Sequence, residues 1–313
     1  MIIGDKMDDE TENEEDNSAL MKELGKVSVA ALQKARSVVK AGARILDVAE
    51  TVESFIKDKG YGLSFPINIS INERAAHYTP SFDDAGVFAE RDVVKLDLGA
   101  EKDGMLGDIA LTVDLSQDNQ ELVDASREAL ENAMSMVRAG ARVRDIGREI
   151  GSTIEKHKFR PIANLGGHGM GKNGLHTGLF IPNYDNGDDS ELEEDMMIAI
   201  EPFATTGKGF VTDIGVCEIY ELSRAEMPRS QDARILLGEI MQSYSKNPFA
   251  LRWLSHLMDS KFRLYAAMHA LVTLGIVEPY PVLVEVTNGL VSQTEAQMLV
   301  QKDSCDIIAM PEK

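Results

Sequence analysis

"SVVKAGARILDVAETVESFIKDK", residues 37–59, recurs as "SMVRAGARVRDIGREIGSTIEKH", residues 135–157. Ser37, Val39, Ala41, Gly42, Ala43, Arg44, Asp47, Ser54 and Ile56 match Ser135, Val137, Ala139, Gly140, Ala141, Arg142, Asp145, Ser152 and Ile154 without a gap. Two amphipathic helices can coincide in apolar spacing, but amphipathicity does not dictate the shared A-G-A-R turn. The copies therefore predict two similar halves, each a helix pair followed by strands. Strand-like stretches follow each copy, over 65–115 and 161–220. Before the first copy, Leu20, Leu24, Val27, Ala31, Ala35 and Val38 recur at helical spacing, so order is expected from about Leu20. Residues 230–275 turn helical again, and 282–310 return to strand with "VLVEV" and "AQMLV" as markers. The span 222–281 thus reads as a helical insertion interrupting the sheet of the second half.

Composition narrows the function. The 313 residues, 43% of them hydrophobic, can bury a large core, and no apolar run approaches the length of a membrane span. No charged stretch followed by an apolar one opens the chain, so no secretion signal is expected. Cys217 and Cys305 stand far apart without metal-ligand spacing, which suits a reducing, cytoplasmic setting. A net charge of −20 argues against a general nucleic-acid binder. Residues 1–18 hold eight acids and one lysine without aromatic residues, and are expected to form a disordered, solvated tail.

Chemistry enters with "VVKLDLGAEKDGMLGDIALTVDL", residues 93–115. Asp103-Gly104 is a two-residue hairpin signal. It predicts 102 opposite 105 and Asp97 opposite Ala110, which places Asp108 diagonally across from Asp97 on one face. Diagonal neighbours lie about 7–8 Å apart at the backbone, within reach of a cation held by both carboxylates. Further candidates are His168 and His176 in "GGHGMGKNGLHTG", Glu201 in "AIEPFATTGKG" and Glu295 in "GLVSQTEAQMLV". Glu201 is flanked by Ile198, Ala199, Ile200, Pro202 and Phe203, and a buried glutamate needs a partner. Gly166, Gly171 and Lys172 begin a phosphate-loop pattern, but Asn173 lacks the required hydroxyl and "LHTGLFIPNY" reads as strand, which rejects it.

Taken in order, "INERAAHYTP", "KLDLG", "GDIALT", "GGHG", "LHTG", "IEPFATTGKG" and "GLVSQTE" closely resemble methionine aminopeptidase over nearly all of 20–313. The resemblance implies an α/β (α+β) pita-bread fold: pseudo-twofold halves around a curved antiparallel sheet. Its catalytic domain would span 19–221 and 282–313. It implies that Asp97, Asp108, His168, Glu201 and Glu295 bind two divalent metal ions (Co, Mn, Fe or Zn), with Asp108 and Glu295 bridging. His168 and Glu201 would complete one site, and Asp97 the other. His77 and His176 match two active-site histidines that are not ligands, and Phe65 matches a wall of the methionine pocket. A shared water activated to hydroxide would then attack the scissile carbonyl. Glu201 would shuttle the proton, His176 stabilise the oxyanion and His77 position the peptide. The insertion, with "RWL" and "LGIVEPYP", is similar to the type II, archaeal form. Ala296 departs from the histidine usual after the glutamate.

The expected activity is removal of initiator methionine before a small second residue. The expected partners are nascent chains and the ribosome that carries them; no nucleic acid or membrane is expected, and the protein is expected to be a monomer. Three rivals differ in observable ways. A non-enzymatic relative would lack metal, and a proline-directed peptidase would prefer Xaa-Pro and carry an additional preceding domain. A winged-helix insertion would need more than the scattered Lys246, Arg252, Lys261 and Arg263, and Trp253, Leu254 and Leu257 there read as core.

Overall fold

The computed structural model describes residues 4–312, with side chains from Asn17 onward. Helix α1 spans Gly4–Val38 and α2 spans Ile45–Asp58. In the second half α3 spans Gln120–Met134 and α4 spans Val143–Lys156. Helices α2 and α4 coincide in length, 14 residues each, and in position within the two copies.

The A-G-A-R turn has a physical cause. Gly42 and Gly140 adopt φ of +81° and +77°, a region costly for any residue with a Cβ. Their N–H groups donate to Phe88 O and Leu192 O, each at 2.8 Å. Arg44 and Arg142 follow in extended conformation, each bridging a loop residue, Val87 and Glu191, before its helix begins. The same turn is therefore built twice, with corresponding backbone partners in each half.

Each helix pair covers one face of antiparallel sheet. In the first half Asn68–Ile71, Val93–Leu98 and Ile109–Asp114 pair side by side. Their inward residues, among them Ile69, Leu96, Leu98 and Ile109, pack with Leu24, Leu32, Val52 and Ile56 of α1 and α2. In the second half Phe180–Pro182, Gly166–Met170, Met197–Ile200, Ala296–Val300 and Cys305–Ala309 form a five-stranded sheet. Ile198, Ile200, Met298 and Val300 pack there against Leu130, Ile146, Ile150 and Ile154. The final strand joins the halves: it pairs with Ala296–Val300, yet Ile308 and Ala309 belong to the core beneath α1.

One expectation is corrected. Of the acidic stretch expected to be a disordered tail over 1–18, residues 1–3 lie outside the described residues, and the rest is helical from Gly4 onward, continuous with α1. Glutamate is a fair helix former, and acidic residues favour the N-terminal end of a helix dipole. The span 222–281 carries the expected helical insertion, with short strands at its edges. Helices α5 (Gln231–Ser243) and α6 (Lys261–Thr273) and a 3-10 helix (Leu251–Leu257) are joined by the short strands Phe249–Ala250 and Val277–Tyr280. Both strands pair with Ile219–Leu222. Leu236, Ile240, Leu254, Leu264 and Leu271 form a separate core, with Trp253 and Leu257 packed on it. Among the described residues no helix is long and apolar enough to cross a membrane.

A buried ion pair docks this region onto the first half. Arg252, 6% exposed, bonds Glu53 of α2, 4% exposed, and donates to Thr79 Oγ1 (2.6 Å) and Pro80 O (3.1 Å). Trp253 Nε1 donates to the other Glu53 oxygen at 2.9 Å. Glu53→Ala should therefore cost about 3–5 kcal/mol in urea unfolding, because it strands a buried guanidinium. The double variant Glu53→Leu with Arg252→Met should recover most of that loss.

Candidate metal centre

The hairpin forms in the register its turn predicts. Asp103 and Gly104 take φ of +56° and +81°, as a type I′ turn requires. Lys102 stands opposite Met105 and Asp97 opposite Ala110. Since Val94, Leu96 and Leu98 face the core beneath the helices, strand alternation turns Asp97 to the other face. Asp108 sits just before its strand and two residues from Ala110, on that same face.

The other half meets this hairpin through one backbone bridge. Ala110 pairs with Glu295, whose N–H donates to Ala110 O at 2.9 Å. On the far side of Glu295, Ile200 stands opposite Ala296 and Phe203 opposite Gln293, a single register that sets Glu201 opposite Glu295. His168 is opposite Ala199, two residues before Glu201. Asn68 closes the other end, opposite Asp97. Asn68, Asp97, Ala110, Glu295 and Glu201 thus form one transverse row across both halves, with directly opposed residues sharing a face.

Asp108, His168 and Glu295 bring ligand atoms within 4.8 Å of one another. His168 Nε2 lies 3.4 Å from Asp108 Oδ2, and all three residues are buried. Asp97 and Glu201 lie outside that trio but line the same cleft, together with His77, His176 and Phe65. The structure therefore gathers all eight residues singled out in the sequence into one cavity. Asp97 Oδ1 and Glu295 Oε2 are buried without a hydrogen-bond partner.

Such crowding is costly without cations. Burial, followed by the neighbouring Asp108, holds Asp97 well above the ordinary carboxylate range. Burial pushes Asp108 up to about 8. Glu201 and Glu295 are raised first by burial and then by the other acids of the cluster. Burial lowers His168 and His77 to about 4, so both rings are neutral at pH 7. His77 has φ of +65°, its Nδ1 lies 3.2 Å from Pro281 O, and its ring meets Tyr280 edge-on. His176 stacks at a tilt on His168, ring centroids 4.3 Å apart. It stands at the exposed mouth of the cleft, and its pKa is lowered, first by partial burial and then by the neighbouring His168.

Two positioning residues escaped the sequence reading. Gln293 Nε2 donates to Glu201 Oε2 at 3.1 Å and to Asp97 Oδ2 at 3.5 Å, spanning the two halves. Gln297 Oε1 accepts from the Asp108 N–H at 3.3 Å, while its Nε2 donates to Leu106 O at 2.9 Å. Their signal is period-2: Gln293, Glu295 and Gln297 alternate with the smaller Ser292, Thr294 and Ala296. Ala296, on the opposite face, is fully buried in the second core, so the departure from histidine there touches packing alone.

A family model describing metallopeptidase family M24 matches residues 19–229. The chain belongs to that family. Methionine aminopeptidase of Archaeoglobus fulgidus is 45% identical to this M24 chain over 285 residues, 91% of this chain and 96% of the relative. Among solved structures, a thermophilic Arx1 gives a TM-score of 0.82 at 17% identity, covering 93% of this chain and 90% of that one. Methionine aminopeptidase of Rickettsia prowazekii gives 0.68 at 21% identity, covering 95% and 98%. At such low identities the two structures establish the fold, which is the pita-bread fold, and nothing more.

The hairpin that carries both aspartates tolerates no side chain at Gly99, where an added Cβ would fall 1.7 Å from Gly107 O. Gly99→Ala should therefore weaken divalent-metal affinity about tenfold or more, as read by calorimetric titration. Gln293→Leu, which removes the donor shared by Asp97 and Glu201, should lower it about 10–100-fold.

Proposed function

We propose that this M24 chain is a methionine aminopeptidase, removing the N-terminal methionine of peptides and nascent proteins when the second residue is small. The observation that carries this reading is the convergence of four carboxylates and one imidazole from both halves on one cleft, in a chain 45% identical to a curated methionine aminopeptidase.

The donor set fits two divalent ions. Two buried carboxylate oxygens lack partners, and four negative charges balance the four positive charges of such a pair. Oxygen and imidazole donors without thiolate favour Mn, Fe, Co or Zn. Asp97, Asp108, His168, Glu201 and Glu295 would hold them, with Asp108 and Glu295 shared. When bound, such a pair lowers the pKa of a shared water and polarises the scissile carbonyl.

The remaining roles fall to side chains. Glu201, raised above the usual carboxylate range by burial, would take the proton of the attacking water and pass it to the leaving amine. His176 would donate to the developing oxyanion from the cleft mouth. His77, fixed by Pro281 O and Tyr280, would orient the peptide beyond the scissile bond. Phe65, with Leu165 and Phe203 in the same lining, would offer an apolar wall to the methionine side chain. The proposed setting is the cytoplasm, with a monomer acting on nascent N-termini. The unit over 222–281 is proposed to mark the type II form.

Wild-type protein loaded with manganese should hydrolyse Met-Ala-Ser and leave Xaa-Pro peptides intact; preferential Xaa-Pro cleavage would replace this reading with a proline-directed peptidase. Chelation should abolish turnover, and adding metal back should restore it. Glu201→Gln should lower kcat about a hundredfold or more without altering thermal unfolding.

A further inference from the structure

The row across the sheet has one member with no role so far. Asn68 stands opposite Asp97, lines the cleft three residues after Phe65, and is 6% exposed. Its Nδ2 donates to Pro66 O at 3.0 Å. Because that carbonyl can only accept, it fixes which way the amide points, and Oδ1 is left buried with no hydrogen-bond partner. An unpaired buried acceptor is costly and calls for a donor in the working state.

The neighbours define that donor. Directly opposed residues of a sheet share a face, so the Asn68 side chain lies on the face that carries Asp97. On the reading above Asp97, Glu201 and Glu295 are given over to cations, so the donor that the Asn68 side-chain carbonyl calls for arrives with the substrate. Asn68 differs from them in being neutral, which suits it to an N–H more than to a dication. An aminopeptidase substrate always brings one N–H-rich group to the site, the free α-amine of its first residue. A methionine side chain laid on Phe65 would direct its α-amine toward Asn68 and Asp97, which adjoin that wall.

We propose that Asn68 is a positioning residue whose side-chain carbonyl accepts a hydrogen bond from the α-amino group of the bound N-terminal residue, an inference resting on the aminopeptidase reading above. Asn68 would thus share in distinguishing a free N-terminus from a blocked one.

The test compares two ligands on manganese-loaded protein by calorimetry: L-methionine, and the analogue that keeps the thioether and carboxylate but lacks the amine. In Asn68→Leu, methionine binding should weaken about tenfold, as for loss of one hydrogen bond with a charged partner. Binding of the analogue should stay within about twofold. KM for Met-Ala-Ser should rise in step while kcat changes far less. Asn68→Ser, a smaller change, provides the same comparison should the leucine variant fold poorly; metal stoichiometry and thermal unfolding confirm that each variant is intact. Equal weakening of both ligands would reduce Asn68 to a wall of the pocket, and no weakening of either would assign its carbonyl to a buried water. Both outcomes overturn the proposal. Turnover by the wild type judges the aminopeptidase reading separately, so an active wild type with an unselective variant sinks only the role of Asn68.

Discussion

Four carboxylates share one face of a sheet at the seam between two halves, and they cannot all be ionised there without a compensating cation. Asp97 and Asp108 come from the first half, Glu201 and Glu295 from the second. Burial raises every one of them above its usual range, so in the absence of cations the cluster favours holding protons. Much of the surrounding architecture serves to keep these groups together. The type I′ turn sets the two aspartates, the Ala110–Glu295 bridge joins the halves, and Gln293 ties Asp97 to Glu201.

The pseudo-twofold frame explains why such a cluster can be built at all. Each half supplies a helix pair that buries one face of its strands, leaving the other face free for polar groups. Where the two uncovered faces meet, neither half alone offers more than a partial ligand set. The two core clusters are similar in plan, but the side chains at the seam are not. The first half gives two aspartates, the second a histidine and two glutamates, so the symmetry of the backbone does not extend to the chemistry.

The legible part of this arrangement was local. A two-residue turn fixes which residues oppose one another, so the placement of Asp97 against Ala110 followed from Asp103-Gly104 alone. The repeated A-G-A-R turn disclosed the two halves because it demands glycine at a positive φ, a requirement independent of apolar spacing. What escaped was non-local or masked by composition. Nothing near Asn68 in sequence announces that it will stand opposite Asp97, and the tasks of Gln293 and Gln297 depend on strands far removed in the chain. The acidic stretch before Leu20 misled for a different reason: poverty in apolar residues limits what a segment can bury, not whether its backbone can wind into a helix.

The strand Cys305–Ala309 bears on how the two halves come together. Cys305–Ala309 pairs within the second half but lends Ile308 and Ala309 to the hydrophobic interior beneath α1. The core under α1 and α2 is therefore finished by residues that lie beyond the rest of the second half in sequence. Closing contacts so distant along the chain is entropically slow. The interior of the first half is thus completed by one of the longest-range contacts in the fold, a topology of the kind that slows folding.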